Sequence, residues 1–330
     1  MESTRTALVL GATGGIGGEV ARNLKRRGWH VRAMTRDPRR NAGRDGLEWV
    51  GGDAMVAQDV ARAAAGAGLL VHAVNPPGYR DWERQVLPML DSTLAAARAS
   101  RARILFPGTI YNFGPDAWPV LAEGAPQHPL TSKGRIRVEM EQRLRAAAGE
   151  GVSTTLVRAG DFFGPRAANS WFGQGMVTPG RPVTSIRYPG RRGIGHQWGY
   201  LPDVAEAMAR LVERGPAAGF ESFHMAGHWD PDGTAMVAAI RRAVGDPKLP
   251  VRGFPWWLAR LGQPFVPVFR GIVEMRYLWA NPLRMPNDRL VAALGSEPHT
   301  PLDAAVAATL VGLGCLPEAA RSTTAQGVRA

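Results

Sequence analysis

A chain of 330 residues, 45 % hydrophobic and 21 % charged, has the apolar mass for one large α/β unit or a larger and a smaller one, and is unlike a disordered chain. Its net charge of +12 is almost all arginine, since only Lys25, Lys133 and Lys248 are lysines; scattered along the chain, with no stripe or helix-turn-helix, it argues against nucleic acid as a partner. Cys315 stands alone, which excludes an internal disulfide and a cysteine-built zinc site.

The first half alternates strand and helix signals. Residues 6–10 are a short apolar run suited to a strand buried on both faces. A glycine-rich turn leads into a helix over 19–27, which Gly28 ends. Strands follow at 30–35 and 47–50, a helix at 60–65, and a fourth strand at 69–74. A long alanine-rich helix over 82–100 precedes a fifth strand at 103–106; a helix over 136–148 precedes a sixth at 153–157. Six strands with five crossovers predict an α/β fold with a doubly wound parallel sheet. Beyond Arg158 the grammar changes. Residues 160–198 are rich in Gly, Pro and aromatics, helices are expected over 203–213 and 234–244, and the segment from Phe254 to Trp279 reads as an aromatic packing or lid element, with association at a membrane surface the lesser alternative. Neither a secretory leader nor an apolar run of about 18 residues is visible, so a cytoplasmic protein is expected, without a membrane partner.

Gly11, Thr13, Gly14, Gly15, Ile16 and Gly17 lie between the first strand and the first helix. Glycines at 11, 14 and 17 allow a tight turn, close approach of backbone N–H groups to a pyrophosphate, and packing of the helix on the sheet. This is a Rossmann dinucleotide turn. The second strand ends at Thr35 and Arg36 follows, with Arg39 and Arg40 close behind; a guanidinium there suits a ribose 2′-phosphate, which favours NADP(H). Asp37, near the spacing of a ribose-binding carboxylate, is the counter-signal for NAD(H).

Further along come Gly52-Asp53, Val157 to Pro165 (VRAGDFFGP), Tyr200 to Ala205 (YLPDVA), and Asn287-Asp288-Arg289 with Leu294-Gly295 and Pro298. With these pieces the chain resembles, over nearly its whole length, the extended short-chain dehydrogenase/reductase superfamily, the group of NAD-dependent epimerases and dehydratases. The resemblance implies that Asp53 contacts the adenine amino group. It adds Ala73, Val74, Asn75 and Ala159 to the cofactor contacts, and a C-terminal region that holds a small-molecule substrate. Its division is 1–160 for the cofactor and 161–316 for the substrate, with 199–213 packing back on the first unit and a flexible tail over 317–330. It allows a homodimer without requiring one.

Catalysis in that superfamily uses a Ser or Thr after the fifth strand and a Tyr-x-x-x-Lys pair on the next helix. Thr109 matches the hydroxyl. The Lys is followed four residues later by Glu; anchored on Glu139, its position falls on Arg135 and that of the Tyr on Thr131. Arg135 keeps a charge for the ribose but donates no proton, and a threonine is a weak acid. Tyr111 is the substitute phenol and Lys133 a second substitute. His224 and His228, four apart, read as structural, so no metal is expected. Two readings stay open: an NADP(H)-dependent oxidoreductase or epimerase of atypical type, and a non-catalytic NADP(H)-binding sensor or regulatory protein. Asn169 to Phe172, Arg187 and His196 to Trp198 are the expected substrate-facing residues.

Overall fold

The structure is a computed structural model that describes residues 5–76, 81–215 and 219–317; beyond Pro317, the predicted tail lies outside them. The parallel strands are β1 (Thr6–Leu10), β2 (His30–Thr35), β3 (Glu48–Gly51), β4 (Leu69–His72), β5 (Arg103–Pro107) and β6 (Thr154–Arg158). Their helices are α1 (Gly15–Arg26), α2 (Ala57–Ala64), α3 (Trp82–Ser100) and α4 (Ser132–Ala148). The outer part of the chain supplies β7 (Asp161–Phe163), β8 (Ile186–Tyr188), β9 (His196–Tyr200), α5 (Leu201–Glu213), β10 (Phe220–His224), β11 (His228–Asp230), α6 (Ala235–Val244) and β12 (Val251–Gly253). Last come α7 (Trp256–Gly262), α8 (Pro267–Glu274), α9 (Asp288–Leu294) and α10 (Leu302–Gly312).

The central sheet runs β10-β6-β5-β4-β1-β2-β3, parallel throughout. Side chains alternate along β1: Ala7 and Val9 join the core under α1 and α5, Leu8 and Leu10 the core under α2, α3 and α4. Two apolar layers therefore sandwich the sheet. Sequence patterning placed six strands in this sheet and read a strand and turn over 222–227; that strand, β10, is the sheet's seventh, pairing with β6 in register from Phe220 with Thr154 to His224 with Arg158. No α-helix covers the step from β2 to β3, which is made by two short 3₁₀ turns at Arg39–Asn41 and Arg44–Gly46.

A third apolar cluster lies outside the sheet, where Phe163, Phe172, Trp198 and Trp279 meet α6 and α10. Its frame is a small sheet in the order β11-β9-β7. The loops leaving the C-terminal ends of β1, β4, β5 and β6 open at one end of the central sheet, where ligands of such folds bind.

Candidate active site

The β1–α1 turn is held by its glycines. Gly11 has φ +91°, and a Cβ there would lie 2.4 Å from the Ala73 carbonyl oxygen. A Cβ on Gly17 would lie 2.4 Å from the Gly11 oxygen, so the first turn of α1 can sit on the loop only as glycine. Gly14 differs: its Cβ would meet only the Gly11 oxygen, at 3.3 Å, and beyond it is open space. No side chain caps α1. The helix start therefore presents uncapped backbone donors beside an open face, as an anion site requires. These features fit the pyrophosphate of a dinucleotide.

Arg36 follows β2, exposed, and among the described residues no hydrogen bond or ion pair engages it. Asp37 Oδ1 accepts from the Arg40 N–H at 3.1 Å and so closes the turn after β2, with Oδ2 left for another donor. Asp53 accepts from Met55 N at 2.9 Å through Oδ1, which leaves Oδ2 for another donor. Ala73, Val74 and Asn75 lie just past β4, and Asn75 Oδ1 accepts from the Trp82 indole at 2.6 Å. Ala159 is buried just past β6.

Behind β5 lies a buried polar network that sequence patterning missed. Glu141 and Arg158, side chains 2 % and 1 % exposed, form an ion pair at 2.5 Å. Glu141 also accepts from Asn112 Nδ2 and Gln127 Nε2, each at 2.8 Å. Arg158 donates to the Thr109 carbonyl at 2.7 Å, and its guanidinium lies 5.0 Å from the Phe113 ring. Because the carboxylate can only accept, the Asn112 amide is fixed with its oxygen toward Thr109, whose hydroxyl donates to it at 3.2 Å. The proton of Thr109 is thus spent inside the protein. Its lone pairs remain.

α4 starts four residues earlier than its apolar periodicity predicts. Thr131 is its N-cap, with Oγ1 accepting from Gly134 N at 3.0 Å. Arg135 is exposed on this helix, and Glu139 is at the surface with Arg143 at 2.9 Å. The inward face is that of Lys133, Arg137 and Glu141, spaced by four. The Arg137 guanidinium lies 5.4 Å from the Trp82 ring and 5.8 Å from that of Phe106 on β5. Lys133 is buried; its Nζ donates to the Gly271 carbonyl at 3.1 Å and lies 3.6 Å from Glu274. Burial lowers its pKa, against the opposing pull of Glu274.

Tyr111 is half-buried between this helix start and a small apolar cluster of Met275, Leu278 and Leu283. Beside that cluster Asp161 and His196 pair at 2.9 Å, with the imidazole stacked on Trp279 at 3.8 Å. Of the expected substrate-facing residues, Trp171 packs on Trp256 and Trp279, while Phe172 and Trp198 are core. Ser170 caps a helical turn, and Gln197 stitches the backbone at Met225 and Met285; Arg187 is exposed. His224 and His228 sit on different strands, His224 against the Leu121 carbonyl and His228 against His299. A cleft of about 530 Å³ lies along the outer edge of β10 between Glu123, Arg145 and Arg289.

Residues 7–223 match the profile of the NAD dependent epimerase/dehydratase family. The chain belongs to that family. Among solved structures, UDP-glucose 4-epimerase from Bifidobacterium longum, solved with NAD+ and UDP, is similar at TM-score 0.73 and 14 % identity, over 94 % of this chain and 97 % of that one. UDP-glucuronic acid 4-epimerase from Bacillus cereus, solved with UDP-glucuronic acid and NAD, is similar at TM-score 0.73 and 13 % identity, over 93 % and 98 %. A nucleoside-diphosphate-sugar epimerase from Pseudomonas aeruginosa is similar at TM-score 0.70 and 17 % identity, over 93 % and 96 %. At such identities the likeness is one of fold. No curated protein matches the chain. α4 contains no tyrosine, and its lysine is Lys133.

Proposed function

We propose that the chain is an NADP(H)-dependent oxidoreductase or epimerase acting on a small carbonyl- or hydroxyl-bearing molecule. Residues 1–160 hold the cofactor and 161–316 supply the substrate side. The observation that carries this reading is the uncapped, glycine-built start of α1 with an unengaged Arg36 past β2. Gly11 to Gly17 would hold the pyrophosphate, Arg36 the 2′-phosphate, Asp53 the adenine amino group, and Ala73, Val74, Asn75 and Ala159 would flank the rest. When bound, the cofactor supplies the hydride acceptor or donor.

The chain's own groups handle the proton. The buried Glu141, rather than the surface Glu139, fits the glutamate of the family pattern. That register puts Arg137, not Arg135, in the place of the lysine, where a fixed positive charge beside β5 would hold the nicotinamide ribose. It puts Lys133 in the place of the tyrosine. A lysine whose pKa is lowered by burial can exchange a proton nearer neutral pH than an exposed one. Thr109, its proton spent on Asn112, would accept a hydrogen bond from a substrate hydroxyl and so orient it. Tyr111 remains the alternative proton donor.

Calorimetric titration tests the cofactor assignment: NADPH should bind more tightly than NADH, and Arg36→Ala should weaken NADPH by about tenfold or more, the worth of a charged hydrogen bond. Equal affinities would return the ribose to a carboxylate. With a panel of ketones, enals and nucleotide sugars, Lys133→Met should cut turnover about 10²-fold or more while Tyr111→Phe changes it only a few-fold. The reverse ranking makes Tyr111 the acid. Tight NADPH binding with no turnover and a cofactor-dependent change of oligomeric state is the outcome that favours the sensor, a reading supported by the commitment of Lys133 to α8.

A further inference from the structure

We propose that α7, α8 and the segment joining them form a docking surface for an anionic lipid bilayer. This hairpin places large apolar side chains in solvent. Trp257, Leu261 and Phe265 are 63 %, 67 % and 84 % exposed, with Leu258 and Val266 beside them. These residues are consecutive along one short hairpin, so they make a contiguous patch rather than scattered exposures.

Neighbouring aromatics face the other way. Trp256 turns inward, donating to the Pro189 carbonyl at 2.9 Å and packing on Trp171 and Phe254. Phe269 occupies the place where a Cβ on Gly262 would sit, at 2.4 Å, which locks the two short helices together. The hairpin is thus anchored by one set of rings and presents another. Its anchor reaches α4: Glu274 accepts from Ser132 Oγ at 3.1 Å and from Lys133 N at 3.2 Å.

Charge selects the occupant. From Pro247 to Asn287 the chain has six basic residues and one acid, Glu274, which α4 already engages. Arg252, Arg260 and Arg270 are exposed without a carboxylate partner among the described residues, and Arg191 and Arg260 repel Arg276. Tryptophan and phenylalanine on a hairpin that also carries the exposed Arg260 and Arg270 suit the boundary between acyl chains and phosphate headgroups. A second copy of the chain would set the same arginines face to face, a repulsive arrangement for a two-fold contact. No helix among the described residues is long and apolar enough to cross a membrane, and the patch is a surface for lying on one.

Flotation of the full chain with vesicles decides the matter. Phosphatidylcholine vesicles containing about 30 % phosphatidylglycerol should carry roughly tenfold more protein than pure phosphatidylcholine, with the difference shrinking at high salt. Trp257→Ser with Phe265→Ser should lower that binding about tenfold with unchanged circular dichroism and NADPH affinity. Arg260→Gln with Arg270→Gln, which keeps the apolar tip, should remove the preference for anionic vesicles and covers the case in which the first variant fails to fold. Absence of flotation, or flotation unchanged by both pairs, overturns the proposal. So does a dimer in sedimentation equilibrium that Trp257→Ser with Phe265→Ser dissolves, since a second copy would then be the occupant.

Discussion

At the scale of single residues, the Arg158–Glu141 pair decides how the candidate site is held. Two charges lie almost wholly out of water, and each is tolerable only because the other, with Asn112, Gln127 and the Thr109 carbonyl, satisfies it. Glu141→Gln keeps the shape but leaves Arg158 uncompensated, and should cost about 3–5 kcal/mol of stability by urea denaturation. The double change Glu141→Gln with Arg158→Met should recover part of that loss. A single variant as stable as the parent would mean that the guanidinium finds water or another partner, and the network would no longer explain why Thr109 has spent its proton. None of this was legible in the sequence. Glu141 and Arg158 lie on consecutive elements, and a charge on a helix reads as a solvated face until the fold puts β6 behind it.

At the scale of elements, legibility followed the physical signal each one carries. β1 was readable because a strand buried on both faces is a continuous apolar run, and α3 because its alanine-rich length matches no strand. The first turn of α4 was not. Ser132, Lys133 and Gly134 show no apolar period, and the inward face of this helix carries Lys133, Arg137 and Glu141, so periodicity pointed to a later start and Glu139 to a register other than the one proposed above. The β1–α1 turn was legible, and the structure divides its glycines by role. Gly17→Ala forces a Cβ against the Gly11 carbonyl and should destabilise the protein by about 2 kcal/mol or more in thermal unfolding. Gly14 has φ −86°, which valine adopts, so Gly14→Val should fold while its side chain fills the open face and abolishes NADPH binding. A Gly14→Val protein that binds NADPH normally would place the pyrophosphate elsewhere.

For the whole molecule, charge and buried histidines together predict acid lability. His72 is held near a pKa of about 3 by burial and then by Arg137; His224 near about 3 by burial, with Arg158 and Arg289 adding to the shift; His228 near about 4 by burial and then by His299. Each is neutral when folded and takes a proton at about 6.5 once unfolded, so the unfolded chain binds more protons and stability falls as pH drops below about 6.5. The loss ceases only below the folded pKa values, near pH 3 to 4. At pH 5 each histidine withdraws about 2 kcal/mol, and three together withdraw about 6, comparable with the whole stability of many domains. The net charge of +12 at pH 7 grows as carboxylates protonate, and its self-repulsion acts in the same direction. Urea midpoints measured at pH 7.5, 6 and 5 should therefore fall steeply over the last step. Replacing His72 with Gln, whatever it costs at pH 7.5, should reduce that pH-dependent loss by about a third, because one of three similar contributions is gone. A midpoint that stays level from pH 7.5 to pH 5 would show that these rings are reached by water or protonated in the folded state, and that the polar interior around β4 and β10 is looser than its geometry indicates.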